Sequence, residues 1–221
     1  MFQIAHRGYS ELHKDNSLEA FRAAVNHGFH MIELDIVLTK DNIIIVYHDT
    51  FIGNDLIRNL KYKEVLSIDP YILTLEDFFF YINYDKIGIY IDIKGNDEHI
   101  CIYLHKLLRK LRSTENIILG SFNTLILQRL YDYDIDYKLG LITENVLSPT
   151  VLQKYNDMYN LRFVSFHWTA LNHIIVKFLK LKNIMVFTYT CKNDSIKSFM
   201  EEYVPDGIVT NYKLQNNSSM N

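Results

Sequence analysis

Short apolar runs and amphipathic segments alternate along this chain from end to end, and that alternation limits the available folds more than any other feature. FQIA (2–5), MIELDIVLT (31–39), KIGIYIDIK (86–94), ENIILGS (115–121), YKLGLI (137–142), RFVSF (162–166), IMVFTYT (184–190) and DGIVT (206–210) have the length and the branched and aromatic content of strands. Between them, NSLEAFRAAVNHG (16–28), TLEDFFFYI (74–82), residues 99–112, TLILQRLYDY (124–133), SPTVLQKYNDMY (148–159), HIIVKFLKL (173–181) and DSIKSFMEEY (194–203) carry apolar residues at helical spacing. The boundaries carry their own signals. Asn16 is the expected N-cap of the first helix, with Glu19 three residues on and Gly28 as its stop. Thr74 and Ser148 are expected caps, the latter followed by Pro149 in the first turn. NIIIVYH (42–48), after the turn Lys40-Asp41-Asn42, reads as an extra hairpin arm.

Strands alternating with helices imply βαβ units and a parallel sheet. An open doubly wound sheet and a closed barrel share this pattern, and eight units favour a (β/α)8 TIM barrel. No Pro- or Gly-rich linker divides the chain, so residues 1–212 are expected to form one barrel domain. Residues 213–221 form a polar tail that is expected to fray.

Composition narrows the function. With 48% apolar residues the chain can bury a sizeable core. A net charge of −3 gives no electrostatic case for nucleic acid or an anionic membrane surface. Cys101 and Cys191 are far apart, match no metal-ligand spacing, and read as reduced packing residues. The first apolar run begins at Phe2, and no run approaches the length of a membrane span. The expectation is a cytoplasmic or otherwise intracellular protein without a signal peptide or transmembrane segment. The sequence leaves the number of subunits open.

In such a barrel, chemistry gathers at the C-terminal ends of the strands. His6 and Arg7 follow the first strand. Glu33 and Asp35 are two apart in the second, so their side chains share a face. Asp92 and Lys94 repeat the device in IYIDIK, and His48 ends the arm IIIVYH. Acids framed by isoleucines are costly to bury unless a cation sits among them. Carboxylate oxygens suit Mg²⁺ or Ca²⁺ better than zinc. Two histidines can serve as general acid and base, and Arg7 with Lys94 fits a phosphoryl group. Together these point to metal-assisted phosphodiester cleavage. Singly, each residue has an ordinary explanation: a surface histidine, a half-exposed acid, an Asp92–Lys94 ion pair. Their joint position at consecutive strand ends is what argues for a site. Asp49 is expected to orient His48 or cap a turn, and Phe78, Phe79 and Phe80 to pack a helix; His167 and Trp168 end a later strand and are expected to pack at the core or rim or else to line the pocket mouth.

HRG, followed by DNSLEAFRAAVNHGFHMIELDIVLTKDNIIIVYHD (15–49), resembles the opening of the glycerophosphodiester phosphodiesterases. The similarity continues in TLEDFF (74–79), YIDIK (90–94), LGSFN (119–123), VFTYTCKN (186–193) and PDGIVTNY (205–212). The resemblance implies a (β/α)8 barrel that uses one divalent ion, Mg²⁺ or Ca²⁺, to cleave glycerophosphodiesters to an alcohol and glycerol 3-phosphate. It implies His6 and His48 as the catalytic pair, with His6 as base or nucleophile and His48 as acid. Glu33, Asp35 and Asp92 would hold the metal, and Arg7 and Lys94 the phosphate. The chain departs from the family in having Asp92 where Glu is usual and Tyr189 where Trp is frequent. The stretch between His48 and Asp92 is also too short for the capping subdomain of larger members. Two other readings remain: a phospholipase D-like enzyme acting on lysophospholipids or sphingomyelin, and a non-catalytic barrel that binds a phosphate-containing ligand or partner.

Overall fold

The structure, a computed structural model, describes residues 1–133 and 137–214 of the 221. In chain order its elements are β1 (Phe2–Ala5), α1 (Leu18–Asn26), β2 (Met31–Leu38), β3 (Ile44–Val46), β4 (Phe51–Ile52), β5 (Asp55–Leu56), α2 (Tyr62–Ile68), α3 (Leu75–Tyr81) and β6 (Gly88–Ile93). There follow α4 (His99–Leu108), β7 (Ile117–Ser121), α5 (Thr124–Tyr131), β8 (Lys138–Thr143), α6 (Pro149–Tyr159), β9 (Phe163–His167), α7 (His173–Leu181), β10 (Met185–Cys191), α8 (Asp194–Glu202) and β11 (Gly207–Thr210). Strands β1, β2, β6, β7, β8, β9, β10 and β11 pair in parallel in that order, and β11 returns to β1. This is the expected closed (β/α)8 barrel.

Strand alternation sorts the side chains into two cores. Ile32, Leu34 and Ile36, with Ile89, Ile91 and Ile93, face outward and pack under α1, α3 and α4 with Phe21, Phe78 and Leu104. Ile4, Met31, Tyr90, Ile118, Ile142, Phe163, Phe187 and Val209 face inward and plug the barrel. Each fully buried side chain of this size contributes roughly 1.5–3 kcal/mol. Gly140 makes the plug possible: a Cβ there would lie 2.2 Å from the Phe163 ring. The plug fills only part of the interior, so the next inward positions on each strand open toward the C-terminal mouth.

The early arm departs from regular barrel geometry in a useful way. β1 pairs with β2 only at Met31 and Ile32. Beyond that point β3 runs antiparallel on β2, matching Ile36 with Val46 and Leu38 with Ile44. The returning arm therefore carries Tyr47 and His48 back to the level of Asp35, whose carbonyl accepts from the Tyr47 amide at 3.0 Å.

Several local expectations need correction. Ser17, not Asn16, caps α1, accepting from the Ala20 amide at 3.2 Å. The hairpin β4–β5 and helix α2 lie between the arm ending at His48 and the helix starting at Thr74, where the sequence assigns no element; the seven residues of α2 bury only Val65, so no apolar stripe marks them. Helix α4 ends at Leu108 rather than Arg112. The polar tail begins anchored: Leu214 is buried, its carbonyl accepts from Gln3 Nε2 at 3.1 Å, and Lys213 Nζ reaches the Gly28 carbonyl at 2.6 Å. Residues 215–221 lie outside the described residues. Among the described residues no helix is long and apolar enough to cross a membrane.

Candidate active site

All seven residues singled out from the sequence line one cavity of about 840 Å³ at the C-terminal mouth. Glu33 and Asp35 come from β2, Asp92 from β6, and Lys94 from just beyond β6. His6 and Arg7 follow β1, and His48 follows β3. These seven side chains come from positions up to 88 apart in sequence, from His6 to Lys94.

The β1–α1 loop is shaped to hold the acids. Arg7 and Asn16 both have φ of 56°, a left-handed conformation that asparagine tolerates and arginine rarely adopts. This turns the Arg7 amide onto Glu33 Oε2 at 2.8 Å and its guanidinium toward Asp35 and Asp15. Nη1 lies 2.9 Å from Asp15 Oδ2, while Nε lies 3.0 Å from Asp35 Oδ2 as an ion pair without hydrogen-bond alignment. Asn16 grips Asp35 twice, donating from Nδ2 to Oδ2 at 2.9 Å and accepting from the Asp35 amide at 3.3 Å. Gly8 supports the loop. Its φ is +80°, and a Cβ there would meet the Ala20 carbonyl carbon at 2.7 Å, so glycine lets the loop lie against α1.

The three carboxylates are buried, and one oxygen from each lies within 4.8 Å of one from each of the others. Lys94 Nζ bridges two of them, 2.6 Å from Asp92 Oδ2 and 3.0 Å from Asp35 Oδ1. Burial pushes Asp35 upward, but Lys94, Arg7 and the Asn16 hydrogen bond outweigh it and hold the carboxyl below its ordinary range. Burial lifts Asp92 to about 6, with repulsion from Asp35 adding to it and Lys94 resisting. Glu33 rises well above the ordinary carboxylate range through burial and repulsion from Asp35 and Asp92. Crowding thus holds Glu33 toward its protonated form, while Asp35 and Asp92 share Arg7 and Lys94. Asp92 Oδ1 is buried with no hydrogen-bond partner. An all-carboxylate donor set with an unpartnered oxygen fits one hard divalent cation.

The histidines are held differently. His6 Nδ1 lies 2.7 Å from Asn211 Oδ1. An amide oxygen accepts, so Nδ1 carries the proton and Nε2 keeps its lone pair. Burial, reinforced by Arg7, lowers the His6 pKa to about 4, against the raising influence of Asp35 and Asn211. The ring is neutral at pH 7. His48 Nδ1 lies 2.6 Å from Asp49 Oδ1, which gives Asp49 the expected orienting role.

The opposite wall is aromatic. Tyr189 packs edge-on against Phe122 at 6.2 Å and His167 at 5.6 Å, and Trp168 continues the wall. His167 and Trp168 thus line the mouth, the second of the two placements expected of them. Phe78 and Phe79 are buried in the outer core as expected, but Phe80 is 80% exposed and packs in no core, because it lies on the solvent side of the short helix α3. Asn16 does not cap the helix as expected, and the blocks VFTYTCKN and PDGIVTNY contain Tyr189 and Asn211 without assigning either side chain a role. Inward parity along β10 and β11 is the signal that points to Tyr189 and Asn211, two residues beyond the plug residues Phe187 and Val209.

The model of the glycerophosphoryl diester phosphodiesterase family matches residues 6–213. The chain is 26% identical over 230 residues to a glycerophosphodiester phosphodiesterase of Caldanaerobacter subterraneus, covering 94% of this chain and 92% of that one. A crystal structure of a glycerophosphodiester phosphodiesterase from Thermotoga maritima superposes with a TM-score of 0.81 at 26% identity, over 96% of this chain and 94% of that one. An Oleispira antarctica phosphodiesterase in complex with its product sn-glycerol-3-phosphate shares the fold, with a TM-score of 0.87 at 20% identity, over 96% and 93% of the two chains.

Proposed function

The chain belongs to the glycerophosphoryl diester phosphodiesterase family, and on that premise we propose that it hydrolyses glycerophosphodiesters to an alcohol and sn-glycerol 3-phosphate. The observation that carries this reading is the meeting of Arg7, Lys94, His6, His48 and a buried acidic cluster in one cavity. Cations beside a partly neutralised acidic cluster suit a phosphodiester, whose oxygens gain negative charge during displacement.

Glu33, Asp35 and Asp92 would hold one divalent ion, Mg²⁺ or Ca²⁺, which when bound supplies a Lewis acid for a phosphoryl oxygen. Arg7 and Lys94 bind and orient the phosphoryl group, with Asp15 and Asp92 fixing their geometry. Neutral His6 takes the proton of the attacking oxygen at Nε2, either from water or from the glycerol 2-hydroxyl. The second route forms a cyclic phosphate first. His48, oriented by Asp49, delivers a proton to the departing alkoxide. Each histidine contributes about 10²–10⁴ to the rate if it acts as general acid or base.

A shallow depression runs off the cavity past Ile93, Phe122 and the exposed Leu125, which suits an acyl chain and supports lysophospholipids as a second substrate class. A panel of glycerophosphodiesters and lysophosphatidylcholine, assayed with Mg²⁺, Ca²⁺, Mn²⁺ or chelator, tests both readings. The expected result is metal-dependent release of glycerol 3-phosphate from the water-soluble diesters. Absence of turnover on every diester with every ion would overturn the reading.

A further inference from the structure

A second cavity separates the loop that carries Arg7 from the arm that carries His48. Arg7 follows β1 in the β1–α1 loop, and His48 lies where the arm leaves β3. The cavity between them holds about 320 Å³, with Tyr47, Asp69, Tyr71 and Ile72 in its lining. Arg7, Lys14, Asp15 and His48 line both this cavity and the larger one, so they form the partition between the two. His48 is half-buried, and among the described residues its side chain hydrogen-bonds only to the adjacent Asp49. The segment after His48, with β4, β5 and α2, rests on a small core of its own: Ile52, Ile57, Val65 and Ile72 against Val37 and Ile45. That core contains no residue of the Arg7 loop. Packing behind the arm therefore leaves its distance from Arg7 to be set by something else.

One ion pair crosses the gap. Lys14 Nζ lies 2.5 Å from Asp69 Oδ2, and among the described residues this is the one hydrogen bond or ion pair between residues 6–17 and 47–73. Both ends are anchored. The Lys14 carbonyl accepts from Ser17 Oγ at 2.5 Å, and Ser17 caps α1. Asp69 closes α2, its amide donating to the Val65 carbonyl at 3.0 Å, and its Oδ1 accepts from the Tyr71 amide at 3.1 Å. Lys14 also adjoins Asp15, which holds Arg7. Resting on the proposed hydrolysis, we propose that Lys14 and Asp69 are positioning residues whose clasp sets the spacing between Arg7, which orients the phosphoryl group, and His48, which protonates the departing alkoxide. Lys14 is 57% exposed at its side chain, and a pair this open adds little to stability. Its contribution is geometric, and geometry is costly to lose: a displacement of about 1 Å at a reacting group can cost about 10²-fold in rate.

A leaving group that needs no proton separates positioning from a structural role. Wild type, Lys14→Met and Asp69→Asn are assayed with Mg²⁺ or Ca²⁺ on two diesters. Glycerophosphocholine releases an alkoxide that must be protonated, whereas the p-nitrophenyl ester of glycerol phosphate releases a phenolate that departs unaided. Lys14→Met keeps the stem and removes the charge; Asp69→Asn keeps an acceptor for the Tyr71 amide. In each variant the ratio of kcat on glycerophosphocholine to kcat on the nitrophenyl ester is expected to fall about tenfold or more, with little change in melting temperature. Lys14→Arg retains the ion pair and should retain the wild-type ratio. An unchanged ratio in Lys14→Met and Asp69→Asn, whether both rates fall together or neither falls, overturns the inference and leaves the proposed function standing. A wild type inert on both diesters with either ion overturns the proposed function, and the inference falls with it.

Discussion

Lys94 holds Asp92 by one oxygen only: Nζ lies 2.6 Å from Oδ2, while Oδ1 stays buried and unpartnered. One carboxylate therefore faces a fixed cation on one side and keeps a ligand oxygen on the other. If Asp92 holds the proposed divalent ion, it would do so without releasing Lys94, which would tie phosphate binding to metal binding.

Removing the Asp92 charge should weaken the ion more than the fold. Asp92→Asn keeps the shape and loses the anion, and calorimetric titration with Mg²⁺ or Ca²⁺ should show at least about a tenfold weaker affinity, as expected for a lost charged ligand. Unchanged affinity would remove Asp92 from the ligand set.

Ion binding should also appear as stability. An ion present at about a hundred times its Kd adds roughly 2.7 kcal/mol, which for a domain of this size is about 5–10 °C in melting temperature. Scanning fluorimetry with and without chelator measures it. The shift should vanish in a Glu33→Gln/Asp35→Asn double variant.

The pH behaviour of His6 follows from its burial. Its folded pKa, about 4, lies below the ordinary imidazole value of about 6.5. Between these values the unfolded chain binds a proton that the native ring refuses, so stability rises with pH across this window and is lost as pH falls from about 6.5 through about 4. NMR titration of the imidazole should find His6 neutral at pH 6. Comparison with His6→Gln should show the wild type losing relative stability below pH 6. A His6 that titrates near 6.5 contradicts the burial argument.

In the proposed mechanism Asn211 positions His6, whose Nδ1 lies 2.7 Å from the asparagine Oδ1. Asn211→Ala should release the Nδ1–H tautomer and lower kcat/KM by about ten- to a hundredfold, as loss of a partner that orients a catalytic group does. The distinguishing readout is the ¹⁵N shift pattern of the ring, which should change from one tautomer to a mixture. A purely structural role would leave the tautomer intact.

Gly8→Ala tests the loop that carries Arg7. With φ at +80° and backbone atoms of Ala20 under 3 Å from the new Cβ, the substitution should cost roughly 2 kcal/mol or more of stability by denaturant unfolding. A neutral effect would mean the loop can lift from α1 freely.

How much was legible beforehand follows from how each residue signals. Glu33 with Asp35, and Asp92 with Lys94, were readable because two-residue spacing in a strand fixes a shared face, and isoleucines frame them. The barrel was readable because eight short apolar runs alternate with helical ones. Asn16 was misassigned because Asn16-Ser17-Leu18-Glu19 offers two adjacent residues able to cap; the winner was decided by Asp35, 19 positions away. Asn211 and Tyr189 lie in blocks the sequence marks, but their neighbours, His6 and the Phe122–His167 wall, are tertiary and local pattern does not encode them. Helix α2 escaped because it buries a single residue.

The most direct test follows glycerophosphocholine by ³¹P NMR with wild type, His6→Ala and His48→Ala, each folded and supplied with Mg²⁺ or Ca²⁺. The account predicts that the wild type converts the diester to sn-glycerol 3-phosphate and that each variant loses about 10²-fold or more in rate. Wild-type rates in both variants would contradict it.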